Sequence, residues 1–339
     1  MLTPSSAING EHDRTTLFDE NDNHFHLYWD VMRFLLFLFA AVLSGCGGSA
    51  APPATPNTTP ATTKLGILLM AHGGPPEWNE GVLASVAPLR ERWDIEVAFG
   101  MADAASLQEG VRKLEARGAH RIGVVRLFVS GESWAERTEQ ILGIRPGAPP
   151  PGTHAAPDPH AAHGGHSMEF YRLDTKASFA MSRDGLADAP SMGNILADRA
   201  AALSKAPARE DVLVLAHGPG DDDENTRWIA KLDDRAKVIR ARLPFRRVQV
   251  ETLREDWPEK RAEAEKRIRG FVERAAAEGG VAIVVPFRVQ GFGPYKKVLE
   301  GLSYTADGTG LIPHAEVTKW IERQIGNLES GAFQGPPAR

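Results

Sequence analysis

One short pattern occurs twice in this chain and constrains the fold more than any other feature. A run of apolar residues ends in Ala71-His72-Gly73, and a second apolar run ends in Ala216-His217-Gly218. A short run without polar alternation is typical of a strand that is buried on both faces of a parallel sheet. Glycine directly after the run favours a sharp strand-to-helix turn. The chain is therefore expected to contain two α/β units that begin in the same way.

The segments after the two histidines repeat one order of helices and strands. In the first segment the residue pattern predicts helices over 80–93 and 106–117, and strands over 95–101 and 121–129. In the second segment it predicts helices over 225–243 and 259–278, and strands over 248–253 and 281–289. Strands alternating with helices in this way imply right-handed crossovers and an open parallel sheet. We therefore predict an α/β fold of two pseudo-repeated, Rossmann-like domains that arose by duplication.

The order of these motifs resembles the class II tetrapyrrole metal chelatases, the superfamily that contains sirohydrochlorin cobaltochelatase. Residues 99–110 and 118–128 look like the family's second and third strands with their flanking segments, and residues 188–199 resemble its approach to the second half. The resemblance covers residues 64–145 and 185–325. It implies two chelatase-like domains whose parallel sheets face a central cleft that holds a tetrapyrrole.

The resemblance also implies a role for His72 and His217. In the family, a histidine at the end of the first strand ligates the metal, accepts pyrrole protons, or does both. A neutral imidazole can bind a borderline divalent ion and can accept a proton near neutral pH. The expected substrates are a tetrapyrrole and a divalent ion of cobalt, nickel, iron or zinc. No nucleotide is expected, because the sequence contains no phosphate-binding loop motif. For each histidine, simple packing at the strand end stays an alternative.

Both halves depart from the family after the third strand, where a second histidine is common. Ser133 and Gly293 stand at the corresponding positions. Glu132 is adjacent to Ser133, and a carboxylate can hold a metal or relay protons, so Glu132 is the third predicted catalytic residue. A solvated loop acid is the alternative. The missing histidines also leave open a second function, a non-catalytic protein that binds or carries metal or tetrapyrrole on the same fold.

A low-complexity insert and linker is predicted over residues 146–184, between the two halves. It is rich in Pro, Gly and Ala and contains four histidines at short spacing. Imidazoles that are two or three residues apart in a flexible loop can close on one ion. The predicted metal ligands of the insert are therefore His154, His160, His163 and His166, with chance low-complexity composition as the alternative. Residues 326–339 are predicted to form a disordered tail.

The sequence before residue 64 has the features of an export signal. Met32-Arg33 precede an apolar run that is too short to span a bilayer but has the length of a signal-peptide core. The run ends in Leu43-Ser44-Gly45-Cys46, which resembles the bacterial lipobox, and Cys46 is the only cysteine. We predict a lipoprotein signal peptide over 32–46, lipidation of Cys46, and a flexible tether over 47–63. Residues 1–31 are then an over-extended start, and the protein is anchored by lipid in the cell envelope, facing the periplasm. A buried helix with a stray thiol is the alternative.

Composition excludes some other classes of protein. The net charge is −5, and basic residues are interleaved with acidic ones, which is not the pattern of a nucleic-acid-binding face. A single cysteine cannot form an internal disulfide or a multi-thiolate zinc site. Four tryptophans, Trp78, Trp134, Trp228 and Trp257, are candidates to line a cleft, although aromatic core packing is the commoner role.

Overall fold

The first half is organised around a parallel sheet of four strands. The computed structural model describes residues 64–151 and 168–335. The strands of this half are β1 (Leu65–Ala71), β2 (Asp94–Phe99), β3 (Arg121–Leu127) and β4 (Ser178–Met181), in the order β2-β1-β3-β4. Its helices are α1 (Pro76–Val86), followed by a short 3₁₀ helix (Ala87–Glu91), α2 (Ala104–Ala116) and α3 (Ala135–Leu142). Parallel pairing brings the carboxyl ends of all four strands to one edge of the sheet.

The second half repeats this plan. Helix α4 (Met192–Leu203) leads to β5 (Glu210–Ala216), β6 (Arg247–Thr252), β7 (Val281–Phe287) and β8 (Tyr304–Thr305), in the order β6-β5-β7-β8. The crossover helices are α5 (Asp222–Arg242), α6 (Pro258–Ala277) and the short α7 (Tyr295–Val298), and α8 (Ala315–Glu329) follows the last strand. Short 3₁₀ helices at Leu186–Asp188 and Pro207–Arg209 flank α4. The matching strand orders confirm the predicted α/β fold and its internal repeat.

Alternation along the central strands divides the apolar residues between two faces. In β1, Ile67, Leu69 and Ala71 contribute to one hydrophobic cluster, whereas Leu68 and Met70 contribute to another. All five side chains are essentially inaccessible to solvent. This is the expected result for a central parallel strand covered by helices on both faces, and it explains why the sequence shows a continuous apolar run.

One hydrophobic cluster is shared by the two halves. It contains residues of β1 and β5 together with residues of α1, α4, α5 and α8. Helix α8 follows the second half in sequence but packs on the first: the Thr318 hydroxyl donates to the Ser85 carbonyl at 2.9 Å, and the Trp93 indole N–H donates to Glu329 at 2.7 Å. The two halves are therefore joined by a common core and by helix α8, which packs on the first half.

The structure differs from the expected linker and tail. Residues 168–184 include β4, which pairs with β3, because Phe179 and Met181 bury their side chains against the first sheet. Helix α8 extends to Glu329, and the backbones of Phe179 and Gln334 exchange two hydrogen bonds of 2.8 Å. The sequence did not predict these apolar contacts, because the residues before 168 have a low-complexity composition.

Several predictions lie outside the described residues. They are the segments 1–31, 32–46 and 47–63, the lipidation of Cys46, and the four insert histidines His154, His160, His163 and His166. Over the stretches that the structure covers, none of the helices combines the length and apolar character needed to cross a membrane.

Candidate functional site

The Ala-His-Gly pattern has the same structural cause in both halves. The alanine side chain is completely buried at the end of the central strand, at Ala71 and at Ala216. The glycine after the histidine has a positive φ, 80° at Gly73 and 78° at Gly218, which a residue with a Cβ rarely adopts. The chain therefore turns sharply away from the sheet and leaves each histidine at the carboxyl edge, where ligands of open α/β sheets bind.

The His72 side chain is exposed, and its Nδ1 contacts a neighbouring carbonyl group. Its Nδ1 lies 2.7 Å from the carbonyl oxygen of Gly73. A carbonyl oxygen only accepts, so Nδ1 must carry the proton. In the neutral ring the lone pair is then on Nε2, which is the atom that binds a metal or accepts a proton. The indole of Trp78 lies beside the imidazole, with the ring centroids 6.2 Å apart.

His217 has a different environment although it ends the equivalent strand. Its Nδ1 also lies 2.7 Å from a carbonyl oxygen, that of Gly218, but its Nε2 lies 2.9 Å from Asp256 Oδ2. Glu255 Oε2 is 3.9 Å from the same Nε2. Because both ring nitrogens face acceptors, the geometry suits the imidazolium form, in which both nitrogens donate. A doubly protonated ring neither ligates a metal nor accepts a proton.

Electrostatics agree with this assignment. Burial of the ring acts to lower the pKa of His217, because it disfavours the charged form. The hydrogen bond to Asp256 and the negative charges of Glu255 and Asp256 act in the opposite direction and prevail, so the pKa is raised above its ordinary value of 6.5. Glu255 also forms an ion pair with Arg288. The site around His217 is thus a compensated cluster of two cations and two carboxylates.

Glu132 is engaged in an ion pair between the two halves. Its carboxylate receives two hydrogen bonds from Arg227 of helix α5, from Nε at 3.1 Å and from Nη2 at 2.6 Å. This bidentate bond, with the charge of Arg227, lowers the pKa of Glu132. The structure thus gives Glu132 an arginine partner, and its predicted catalytic role stays a prediction.

A second contact between the halves lies at the same edge of the sheets. The side-chain amide of Gln290, after β7, donates to the Glu77 carbonyl of α1 at 3.1 Å. Gly81 makes room for this side chain, since a Cβ there would lie 2.1 Å from Gln290 Oε1. Together with the pair of Glu132 and Arg227, this contact ties the carboxyl edges of the two sheets to each other. His72 and His217 lie on the two edges that these contacts join, and the cleft between them stays a prediction.

The sequence reading missed Arg126, which holds the loop that carries Glu132. Arg126 is fully buried in β3 and donates to the carbonyl oxygens of Gly131 at 2.6 Å, Ser133 at 2.8 Å and Ser182 at 3.1 Å. Burial, with the nearby charge of Arg183, lowers the pKa of Arg126 to about 10, so it stays protonated at neutral pH. An arginine inside an otherwise apolar strand was the signal that could have identified it.

The described residues contain no preformed cluster of metal ligands. Within residues 64–151 and 168–335, no group of three or more His, Cys, Asp or Glu side chains is arranged to hold a metal ion. A metal bound to Nε2 of His72 would need further ligands from outside these residues. Two surface hollows lie away from these residues, one of them at Lys64, Trp93 and Arg117 on the amino edge of the first sheet.

Comparison with solved structures identifies the fold. SirB from Bacillus subtilis, solved with Fe3+, superposes with a TM-score of 0.56 over 80% of this chain and 99% of SirB, at 13% sequence identity. DR2241 from Deinococcus radiodurans, a multi-domain protein described as structurally similar to chelatases, gives a TM-score of 0.48 over 80% of this chain and 57% of that chain, at 16% identity. A cobalt complex of the sirohydrochlorin chelatase SirB from Bacillus subtilis subspecies spizizenii gives 0.39 over 79% of this chain and 83% of that chain, at 14% identity.

Sequence comparison adds no closer relationship. No protein-family model matches the chain, and no curated protein sequence matches it. The likeness to SirB therefore shows that the described part of the chain has the chelatase fold.

Proposed function

We propose that this chain is a chelatase-like protein that brings a divalent metal ion and a tetrapyrrole together at the facing carboxyl edges of its two sheets. The observation that carries the proposal is the position and tautomer of His72. It follows the central strand of a chelatase fold, and its Nδ1–H bond to Gly73 keeps the lone pair on Nε2. The fold of SirB, solved with Fe3+, supports a metal ion as a ligand.

The chemistry assigns different tasks to the two strand-end histidines. Metal insertion replaces two pyrrole N–H protons with a divalent ion, so the site must hold the ion briefly and accept protons. Nε2 of His72 is suited to either task. A single imidazole holds an ion weakly, which is an advantage for an ion that is handed on as substrate. His217, as an imidazolium, contributes positive charge at the opposite edge and is not the base.

Insertion is tested by titrating the full-length protein with sirohydrochlorin and Co2+, Ni2+ or Fe2+ under anaerobic conditions. The absorbance shift of the metallated ring gives the rate. We expect insertion above the uncatalysed background that is lost in His72→Ala. His120→Ala is the matched control, because His120 is an exposed histidine at the amino edge of the same sheet. Equal rates for His72→Ala and the native protein, or no binding of ring and metal, contradict the proposal.

A second candidate function is a non-catalytic carrier of metal or tetrapyrrole on the same fold. Two observations favour it: His217 has both ring nitrogens on acceptors, and Glu132 is paired with Arg227. With Ser133 and Gly293 in place of the family's second histidines, few bases remain at the edges. The same titration distinguishes the two functions, because a carrier binds ring or metal tightly and gives no absorbance shift of insertion.

The site of action proposed here is the cell envelope. The support is the sequence before residue 64, in which an apolar core precedes Leu43-Ser44-Gly45-Cys46. Lipid attachment at Cys46 would tether the chelatase-like body to a membrane, with the insert histidines His154, His160, His163 and His166 as a metal-capturing loop. Labelling cells with a radioactive fatty acid tests the anchor, and label that persists in Cys46→Ala contradicts it. Deletion of residues 154–166 tests the loop, since unchanged metal stoichiometry removes it from the proposal.

A further inference from the structure

The tryptophans near the carboxyl edges do not have equivalent packing. Trp228 is a buried member of the cluster shared by the two halves, and Trp78 packs against that same cluster. Trp134 packs against the second cluster of the first half. Trp257 is partly exposed and, within the described part of the chain, packs against none of the three hydrophobic clusters. Core packing therefore does not explain the presence of this indole.

The position of Trp257 is defined by the loop that carries His217. Its ring lies edge-on to the imidazole, at 87° and with centroids 6.2 Å apart. It also lies on the backbone of Gly220, where an added Cβ would be 2.2 Å from Trp257 Cε2. Only glycine permits this approach, so the loop is built to receive the ring.

Hydrogen bonds from two basic side chains fix the conformation of that loop. Arg254 Nη2 donates to the Gly220 carbonyl at 2.6 Å and to Asp222 Oδ1 at 2.7 Å. Lys260 donates to the same carbonyl at 2.7 Å. The surface on which the indole lies is therefore fixed before any ligand arrives, and an ordered aromatic ring loses little conformational entropy when it binds.

The equivalent connection of the first half contains no tryptophan. Between β2 and α2 the chain reads Gly100-Met101-Ala102-Asp103, and Asp103 caps α2 by accepting a hydrogen bond from the Ser106 N–H at 2.8 Å. Between β6 and α6 the corresponding connection is longer and ends in Trp257. The indole beside His72, Trp78, instead comes from α1 and packs against the cluster shared by the two halves.

We propose that Trp257 is an aromatic platform against which one face of the planar tetrapyrrole stacks. The inference rests on the proposed function, since it assigns a positioning residue for the same ligand. A partly exposed indole offers an apolar face, and offset stacking adds favourable energy beyond the area that is buried. The first half then supplies the metal-binding imidazole, and the second half supplies the surface that orients the ring.

The test is a binding titration of the full-length protein with protoporphyrin as the probe, followed by tryptophan fluorescence and by the porphyrin absorbance band. Trp257→Leu is expected to weaken binding about tenfold, the order of magnitude of one aromatic stacking contact. Trp257→Phe keeps an aromatic face and should bind within about threefold of the native protein. The matched control is Trp93→Leu, at the amino edge of the first sheet, which should bind the porphyrin like the native protein.

A second variant moves the indole without removing it. Gly220→Ala places a methyl group where the ring lies, so it should weaken porphyrin binding while the chain keeps Trp257. Binding of Co2+ alone should be unchanged in every variant. Native affinity in Trp257→Leu, or a loss in Trp257→Phe as large as in Trp257→Leu, overturns the platform and leaves the proposed function intact. Absence of porphyrin and sirohydrochlorin binding by the native protein overturns both.

Discussion

The two halves of this protein place a histidine at the same point of the same fold, but the neighbouring loops give the two rings different chemistry. Beside His72, one ring nitrogen bonds to a carbonyl oxygen, and the lone pair of the neutral ring is on Nε2. In the second half, Asp256 of the connection after β6 accepts a hydrogen bond from Nε2 of His217. The backbone turn is the same in both, with glycine at a φ near 80°.

This difference shows which part of a duplicated unit determines its reactivity. The strand and the Ala-His-Gly turn set where the imidazole lies. In the second half, the loop after the second strand places two carboxylates near the imidazole, which favours its charged form. In the first half this loop uses its acid, Asp103, to cap a helix, and in the second half it directs Asp256 and Glu255 to the histidine.

The largest expected effect is on the free energy of unfolding. It concerns the amino edges of the two sheets, at the other end of the strands from the histidines. Six residues before each histidine, the first half has Gly66 and the second has Asp211, which is fully buried and bonded to Arg246 and Arg247. Asp211→Ala should lower the free energy of unfolding by about 2–3 kcal/mol, because it removes the buried acceptor of charge-assisted hydrogen bonds from Arg246 and Arg247. Urea denaturation measures the change.

Gly66→Ala is the matched variant of the first half. The new methyl group would meet the Ala119 Cβ at 2.9 Å, so strain of about 1–2 kcal/mol is expected. If Gly66→Ala and Asp211→Ala lower the free energy of unfolding equally, the proposed difference between the two amino edges is contradicted.

The second prediction separates the two histidines by metal affinity. In protein that lacks residues 154–166, His72→Ala should weaken Co2+ binding at least about tenfold, since loss of a ligand costs no less than loss of an outer-shell partner. His217→Ala should change it by less than about threefold, because both ring nitrogens of His217 are already bonded to acceptors. Isothermal titration at pH 7 measures both. An equal loss in the two variants would mean that both rings bind the metal.

The third prediction concerns the pH dependence of stability. The pKa of His217 is raised in the folded state, so its stabilising contribution is complete below the unfolded value near 6.5 and is lost as the pH rises through the folded value. Asp256→Asn removes the main cause of the shift. The native protein should therefore lose more stability than Asp256→Asn between pH 6 and pH 9 in urea denaturation. A steeper decline in the variant would reverse the sign and refute the assignment.

The smallest effect is expected at the contact between the halves. Glu132→Gln breaks the ion pair with Arg227, which is largely exposed, so Co2+ affinity should stay within about twofold of the native value. Gln290→Ala is the parallel variant, because it removes the other contact between the halves, and it should likewise leave Co2+ affinity nearly unchanged. A tenfold or larger loss in Glu132→Gln alone would identify Glu132 as a metal ligand or base rather than a structural partner.

Much of the fold was predictable from the sequence because it depends on local patterns. The apolar runs before His72 and His217 and the helix periodicity between them located the central strands and crossover helices within a few residues. Strand β4 was not predicted, because a four-residue strand inside a polar stretch is defined by its pairing with β3, a contact distant in sequence. The packing of α8 on the first half was not predicted either, because its contacts also join segments that are distant in sequence.

The candidate site was predictable only in part. The motif located His72 and His217, but protonation depends on which atom lies near each ring nitrogen, and Asp256 reaches His217 from the far end of the α5 crossover. Glu132 was singled out by its place beside Ser133, whereas its partner Arg227 comes from the other half. Contacts between distant segments decide these features, and a pattern in the sequence does not encode them.

The most direct test of the central claim is nitrogen-15 NMR of the histidine side chains, which reports the protonation of each ring nitrogen across a pH titration. The account predicts that the neutral form of His72 carries its proton on Nδ1, and that His217 stays doubly protonated to a pH above 6.5. Assignment comes from the spectra of His72→Ala and His217→Ala. A neutral His72 protonated on Nε2, or a His217 that loses its second proton below pH 6.5, would contradict the division of roles between the two halves.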